Sequence, residues 1–400
     1  MHRLFYLILV SLLGLAFAYR TSTEKVQNIP RNQDIKLAAT VQNEPRIYSG
    51  QQVLEIGDAK VYVDLYPRYR VGDKVLVEGE VDSEGRIFRP QIGLVGRRDS
   101  LSGFFSNLRL TISQNIASYL PAREATIVSG TVLGVDTIER DFRDQLVKTG
   151  TIHVVVVSGQ NLMIVAGVFL ALGRYFGKRQ SLILATAAVF IYAALTGFEP
   201  PVVRASLMVM ASTLAIFAGR QTFPVWQLIL AALVIIFVWP QAIFEVSFQL
   251  TFAATLGIMT LGQFLTRISN FKFPIFNFFG QNAAIATSAY LFTAPIILFY
   301  FGRISPLAPL ANILIAEAVF PIMILGFLVS IISLIFSPIA QVVSYIAYVP
   351  AYYFVKVVEV FAKIPISQLS FGQNNLFALL IFYLLIFILL FVWTQRPKSH

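Results

Sequence analysis

Four consecutive residues, Ser158-Gly159-Gln160-Asn161, interrupt an apolar run that opens at His153 and continues past Gly167. A lipid-facing helix gains nothing from hydroxyl and amide groups, because a polar group without a partner in hydrocarbon costs several kcal/mol. Such groups at membrane depth face a packed interior or an aqueous path, and a broken helix there frees amides and carbonyls for a substrate. On a continuous helix, Ser158, Asn161 and Val165 share one face while Gly159 exposes backbone. Two readings stay open at this point. The polar face either touches a substrate path or staples neighbouring helices together.

Other polar groups in apolar surroundings pose the same choice. Thr196 to Ala205 links two apolar runs, with Pro200 and Pro201 suited to the first turn of the second. Arg204 then sits about one turn inside, able to meet an anionic substrate or to pair with Glu199. Glu245 and Gln249 lie four residues apart on one helix face, beside Phe248 and Phe252. Glu317 stands in an apolar stretch with no cation close in sequence, so it is protonated or finds Lys356, Arg204 or water. Nearer the amino end, Tyr62, Tyr66, Arg68, Tyr69 and Arg70 interleave rings and cations. That combination stacks bases and tracks phosphates in single-strand binders, although tyrosines are also ordinary strand residues.

Several chemistries are excluded. The chain has no cysteine, and two of its three histidines are His2 and His400, so thiolate and histidine-cluster metal sites cannot be assembled. No G-x-x-x-x-G-K-[ST] occurs, so a nucleotide-driven motor would be a separate protein. Ser158 lacks a G-x-S-x-G setting, and His153 is more than one helical turn away, a weak basis for an intramembrane enzyme. The expectation is a protein that is not an enzyme, with no metal and no cofactor.

The elements that must position these residues are legible from composition. Hydrophobic residues make up 56% of the chain and charged residues 13%, against about a quarter charged in soluble domains. Residues 1–20 read as a signal anchor or first transmembrane helix, with Ala16-Phe17-Ala18 also suiting a signal peptidase. Residues 34–95 alternate at the strand period between turn residues, about the size of a small OB-like β-barrel. Residues 101–150 suggest amphipathic helices lying at the interface. Residues 151–395 form the polytopic domain, with spans expected at 153–173, 180–196, 202–218, 224–239, 242–265, 280–301, 307–335, 338–358 and 374–393.

Charge orients these spans. Between Arg20 and Gly150 there are 18 basic and 17 acidic residues, whereas from Thr151 onward there are 12 basic and 4 acidic. Arg174, Lys178, Arg179, Arg220, Arg267, Lys272, Arg396 and Lys398 fall in alternate connections, a positive-inside pattern. The predicted fold is a membrane all-α helical bundle of about ten transmembrane helices, with an inserted extracytoplasmic OB-like domain.

Several stretches resemble the ComEC family of competence channels. Thr149-Gly150, His153 and Ser158-Gly159-Gln160-Asn161 match its T-G-x-x-H-hydrophobic-S-G-x-[HN] run; Gly197, Pro200, Arg204, Ala205 and Met208 match a G-x-x-P-x-x-x-R-A-x-x-M pattern. Trp239-Pro240 with Val246 to Phe252, and Ala294-Pro295 through Gly302 to Leu310-Ala311-Asn312, resemble two further segments. Many members carry His where Asn161 stands.

The resemblance implies a channel in the bacterial plasma (inner) membrane that passes single-stranded DNA into the cytoplasm during natural transformation. Its path residues would be Ser158, Gly159, Gln160, Asn161, Glu199, Arg204, Glu245, Phe248, Gln249 and Asn312, with strand contact at Tyr66, Arg68, Tyr69 and Arg70. The implied partners are membrane lipid, a cytoplasmic helicase-type ATPase, a surface DNA receptor and a further copy of the chain as a homo-oligomer. Many members also carry a metallo-β-lactamase-like domain that this sequence does not show, so a nuclease would be a separate protein. The alternative is a secondary transporter of a small anionic substrate, for which no clear internal repeat is found.

Overall fold

The computed structural model describes residues 29–41, 45–48, 51–57, 59–64, 66–70, 72–97, 101–155, 157, 159–171, 173–198, 200–217, 224–268, 274–371 and 379–384. The first expected helix and most of the last expected span lie outside them. Among the described residues the protein is mostly helical, with a small β-sheet region near the amino end.

That region contains seven short strands. Strands β1 (Gln33–Thr40), β5 (Asp73–Val81) and β7 (Gln91–Arg97) form one antiparallel sheet in the order β1-β5-β7. Strands β2 (Arg46–Tyr48), β3 (Gln51–Ile56), β4 (Ala59–Asp64) and β6 (Arg86–Phe88) form a second, in which β4 and β6 run parallel. The alternation read from sequence decides what is inside. On β4, Ala59, Val61 and Val63 are buried while Lys60 and Asp64 are exposed. Leu54, Val61, Val75, Val77, Val81 and Ile87 join one core, each contributing about 1.5–3 kcal/mol by burial.

The helices fall into two units, defined by which segments pack together. The first contains α1 (Leu101–Tyr119), α2 (Ala122–Leu133), α5 (Gly159–Ala171) and α7 (Lys178–Leu195). It also holds the start of α8 (Pro200–Phe217), the end of α13 (Ala308–Ser333) and the first part of α14 (Ser337–Ala362). Helix α2 is buried along its length from Glu124 to Leu133. Its close approach to neighbours has a specific cause: a Cβ on Gly130 would fall 2.5 Å from the carbonyl oxygen of Val155. On another side, a Cβ on Gly326 would fall 2.6 Å from Val132 Cγ2. Small residues at both positions let the backbones meet.

The second unit holds most of α3 (Arg140–Lys148), most of the one-turn α4 (Ile152–Val155), α9 (Pro224–Val238), α10 (Val246–Gly257) and α12 (Pro274–Phe301). The remaining parts of α8, α13 and α14 belong to it as well. A π-helical turn, Ile258–Gly262, continues α10 into α11 (Gln263–Ile268). Gly257 at its start lies against α12, where a Cβ would fall 2.6 Å from the Ser288 carbonyl oxygen. Strands β8 (Arg303–Ile304) and β9 (Leu369–Ser370) pair across the loops of this unit.

Four helical stretches are long and apolar enough to cross a membrane: Val246–Thr266, Gly280–Phe301, Ala308–Ser333 and Ser337–Ala362. They fit a membrane protein and fall on four of the spans expected from sequence. Asn161–Ala171, Arg179–Leu195, Val202–Thr213 and Pro224–Val238 are apolar but shorter. The run expected as one span from residue 153 to 173 is divided near its start: α4 stops at Val155, Val157 is in no helix and α5 starts at Gly159, with α6 (Gly173–Phe176) lying beyond α5.

Candidate functional site

The division between α4 and α5 sets the geometry of the first group of site residues. Gly159 opens α5, whose first amides have no partner within the helix itself. The Arg204 guanidinium lies against it: a Cβ on Gly159 would fall 2.8 Å from Arg204 Nη2 and 3.5 Å from Ala205 Cβ. Arg204 is half-buried and lies on α8, one turn after Pro200. A guanidinium and a helix amino end both favour negative charge, so their meeting in an apolar segment makes an anion-attracting corner. Ser158, Glu199 and the Gln160 side chain lie outside the described residues, so the expected Arg204–Glu199 pair does too.

Asn161 is not part of an open surface. It is 1% exposed, and its Nδ2 donates to the Thr131 carbonyl of α2 at 2.9 Å. Tyr192 Oη donates to the same oxygen at 3.4 Å. Of the two readings open for this amide, helix attachment describes its position. The physical reason is satisfaction: a carbonyl thirty residues away in sequence accepts the amide, which keeps the polar group out of hydrocarbon. Sequence reasoning missed Thr131 and Tyr192, because nothing local links them to Asn161.

Glu245, Phe248, Gln249 and Asn312 belong to the second unit. Glu245 is exposed and precedes α10, and its carbonyl accepts the Gln249 N–H at 3.1 Å. Gln249 Nε2 turns back to the Ile243 carbonyl at 3.1 Å, closing its own loop. Phe248 is buried and packs on Phe252 with ring centroids 4.3 Å apart. Asn312 Nδ2 reaches the Gly150 carbonyl at 3.5 Å. The partners expected for Glu317 are replaced as well: Asn282 Nδ2 donates to its carboxylate at 3.0 Å, while Lys356 donates to Glu359 at 2.7 Å.

On the β domain the expected aromatic and cationic cluster separates. Tyr66 is 72% exposed with the Arg68 guanidinium 5.9 Å from its ring centroid. Tyr69 corrects the expectation: it is 5% exposed and lies in the core, so it offers no ring face to a strand. Burial raises its hydroxyl pKa, with Asp73 adding to the effect. Gln52 fixes this turn, donating to the Asp64 and Pro67 carbonyls and accepting the Tyr69 N–H. Arg70 is half-buried, its N–H bound to Asp73 Oδ2 at 2.9 Å. A pair the sequence did not reveal lies close by in the second sheet. Tyr62 stacks on exposed Phe88 at 4.8 Å, with the Arg86 guanidinium 5.6 Å from the Phe88 ring centroid. The parallel register of β4 and β6 brings them together, and parallel pairing leaves no turn signal between the strands.

No group of histidine, aspartate and glutamate fit to hold a metal occurs among the described residues. The sequence matches the Competence protein family over residues 132–396, well over half of the chain. The chain belongs to that family. Relatives include an uncharacterized protein of Aquifex aeolicus, 28% identical over 48% of this chain and 43% of that protein. ComE operon protein 3 of Bacillus subtilis is 26% identical over 52% of this chain and 26% of that protein. The match thus covers less than half the length of either relative. No solved structure matches this chain. The Competence region takes in the divided α4–α5 segment, Arg204, Glu245, Gln249 and Asn312, and begins after the β domain.

Proposed function

We propose that this protein is part of a conduit that passes single-stranded DNA across the bacterial plasma membrane during natural transformation. The observation that carries the reading is the Arg204 guanidinium seated at the amino end of α5, inside the apolar Competence region. A polyanion needs contacts that are attractive but weak and repeated, so that it leaves as readily as it enters. One guanidinium beside one helix terminus is a contact of that kind.

In this reading the two sheets near the amino end close as an OB-like barrel on the outer face. Exposed Tyr66 with Arg68 receives bases by stacking there, while cations follow the phosphates. A cytoplasmic helicase-type ATPase supplies the pulling force, a surface receptor delivers the DNA, and a separate nuclease acts on it; further copies of the chain complete the bundle.

Deletion of the gene tests this directly. Transformation is expected to be lost while DNA capture at the cell surface persists, and normal transformation in the deletant overturns the reading. Arg204 would serve a small-anion transporter equally well. Anion uptake by the purified protein in liposomes that Arg204→Ala blocks, together with normal transformation of a strain carrying Arg204→Ala, would favour that alternative.

A further inference from the structure

Strand β7 lies at the outside of its sheet, paired there with β5 alone. From Gln91 to Gly96 it carries no charge, although sheet edges that face water are commonly guarded by charged side chains. The register shifts opposite Lys74 and Val75, which leaves Val95 as the extra residue of a β-bulge. Val95 is 66% exposed and Leu94 beside it is exposed too.

Helix α1 continues this apolar surface. Leu101 is 81% exposed and Phe104 is exposed, while Ser106 and Arg109 are buried. A helix in water does the reverse, turning arginine out and its large apolar side chains in. Against lipid, the observed arrangement is the favourable one. Farther along α1 the aqueous order returns: Ile112, Ile116 and Leu120 are buried, while Thr111, Gln114 and Ser118 are exposed. The helix changes surroundings within its own length. Its far end is fixed to two stretches of spanning length in the same unit. Asn115 Nδ2 donates to the Ser333 carbonyl at the end of α13 at 3.3 Å, and Tyr119 Oη lies 2.8 Å from Ser337 Oγ at the start of α14.

We infer that Leu94, Val95, Leu101 and Phe104 form a lipid-contacting band that seats the β domain on the bilayer. Their side chains enter the boundary between headgroups and acyl chains, which amphipathic helices penetrate by about 5–10 Å. The β7 backbone edge stays at headgroup level, where water satisfies its amides, because an open sheet edge does not enter hydrocarbon. This seat is independent of what the protein transports.

The chain has no cysteine, so one introduced thiol takes one label. Leu94→Cys, Val95→Cys, Leu101→Cys and Phe104→Cys are made in the full-length protein, with Lys60→Cys and Gln114→Cys at exposed polar positions for comparison. Each is labelled with nitrobenzoxadiazole and reconstituted in liposomes of phosphatidylethanolamine and phosphatidylglycerol. The band positions are expected to emit to the blue of the comparison positions. Lipids spin-labelled high on the acyl chain should quench them, and iodide present on both sides should not; Lys60 and Gln114 should show the reverse. Iodide quenching at any band position equal to that at Lys60 overturns the inference. A disulfide joining two copies through Leu94→Cys or Val95→Cys also overturns it, by making the occupant a second chain. Should Leu101→Cys or Phe104→Cys fail to accumulate, the two β7 positions decide in the same way.

Discussion

Gly159 leaves the space that the Arg204 guanidinium occupies: a Cβ there would stand 2.8 Å from Nη2. Glycine at the first position of α5 is thus matched to an arginine on α8, forty-five residues later in sequence.

This relationship predicts a graded series. Gly159→Ala meets only the far end of a flexible side chain, so the guanidinium shifts slightly and transformation falls little. Gly159→Leu displaces it and is expected to abolish transformation, as Arg204→Ala does, with both proteins still present in the membrane fraction. Arg204→Lys keeps the charge without the planar fork and is expected to fall between. Transformation frequency normalised to protein level is the measurement, and wild-type frequency in Arg204→Ala would remove the corner from the path.

Asn161 is predicted to act on stability. Asn161→Ala removes the shorter of the two bonds described at the Thr131 carbonyl and should cost about 0.5–2 kcal/mol. Asn161→Asp should cost more, because a buried carboxylate would face a carbonyl. Thermal unfolding of the detergent-solubilised protein reads both. Wild-type stability in Asn161→Ala would return the amide to the list of path residues.

Gly130 meets backbone, which cannot swing aside. Gly130→Val forces α2 away from the Val155 carbonyl and is predicted to destabilise by about 1–3 kcal/mol or to block accumulation. The milder Gly130→Ala keeps the comparison measurable by the same unfolding assay.

The β domain offers a contrast between neighbouring tyrosines. Tyr66→Ala removes an exposed ring and should weaken single-strand cross-linking by the equivalent of about 1–3 kcal/mol if one base stacks there. Tyr69→Phe removes only a buried hydroxyl and should leave cross-linking unchanged. Equal losses in the two variants would contradict the assignment.

Asp82 gives a pH signature. Its carboxylate is held below the usual range, first by the Arg86 N–H at 2.7 Å, then by the Arg86 side chain and the Glu84 N–H. A lowered folded pKa contributes stability that is present above the ordinary carboxylate pKa and is lost as pH falls through the folded value. Asp82→Asn should therefore lower the unfolding temperature at neutral pH, with the difference from wild type shrinking below about pH 4. A difference independent of pH would show that the loop is held by something else.

Period and composition carried the local part of this structure. Alternation placed Val61 and Val63 inside and Lys60 outside, and the Ser-Gly-Gln-Asn interruption marked the division that ends α4 and begins α5. Four long apolar runs became four helices of spanning length. The rhythm of side chains along one strand or helix is a property of that segment alone, so it survives translation into sequence.

Partners did not survive it. Their spacing puts Glu245 and Gln249 on one helix face, yet Glu245 is extended backbone before α10, Gln249 bonds to Ile243 and Phe248 is buried. Tyr66 and Tyr69 are three residues apart and look alike in sequence, but one is solvent-facing and the other is core because the Gln52 side chain pins the turn between them.

What the sequence determined by itself is the membrane character, the small β region before it, the broken helix and the kinship with the Competence family. Only the tertiary structure decided that Asn161 answers Thr131, that Arg204 answers Gly159 and that Glu317 answers Asn282. A polar group in an apolar run announces its need for a partner through its own chemistry. Which distant segment supplies that partner is settled by helix packing, where small residues let particular backbones meet.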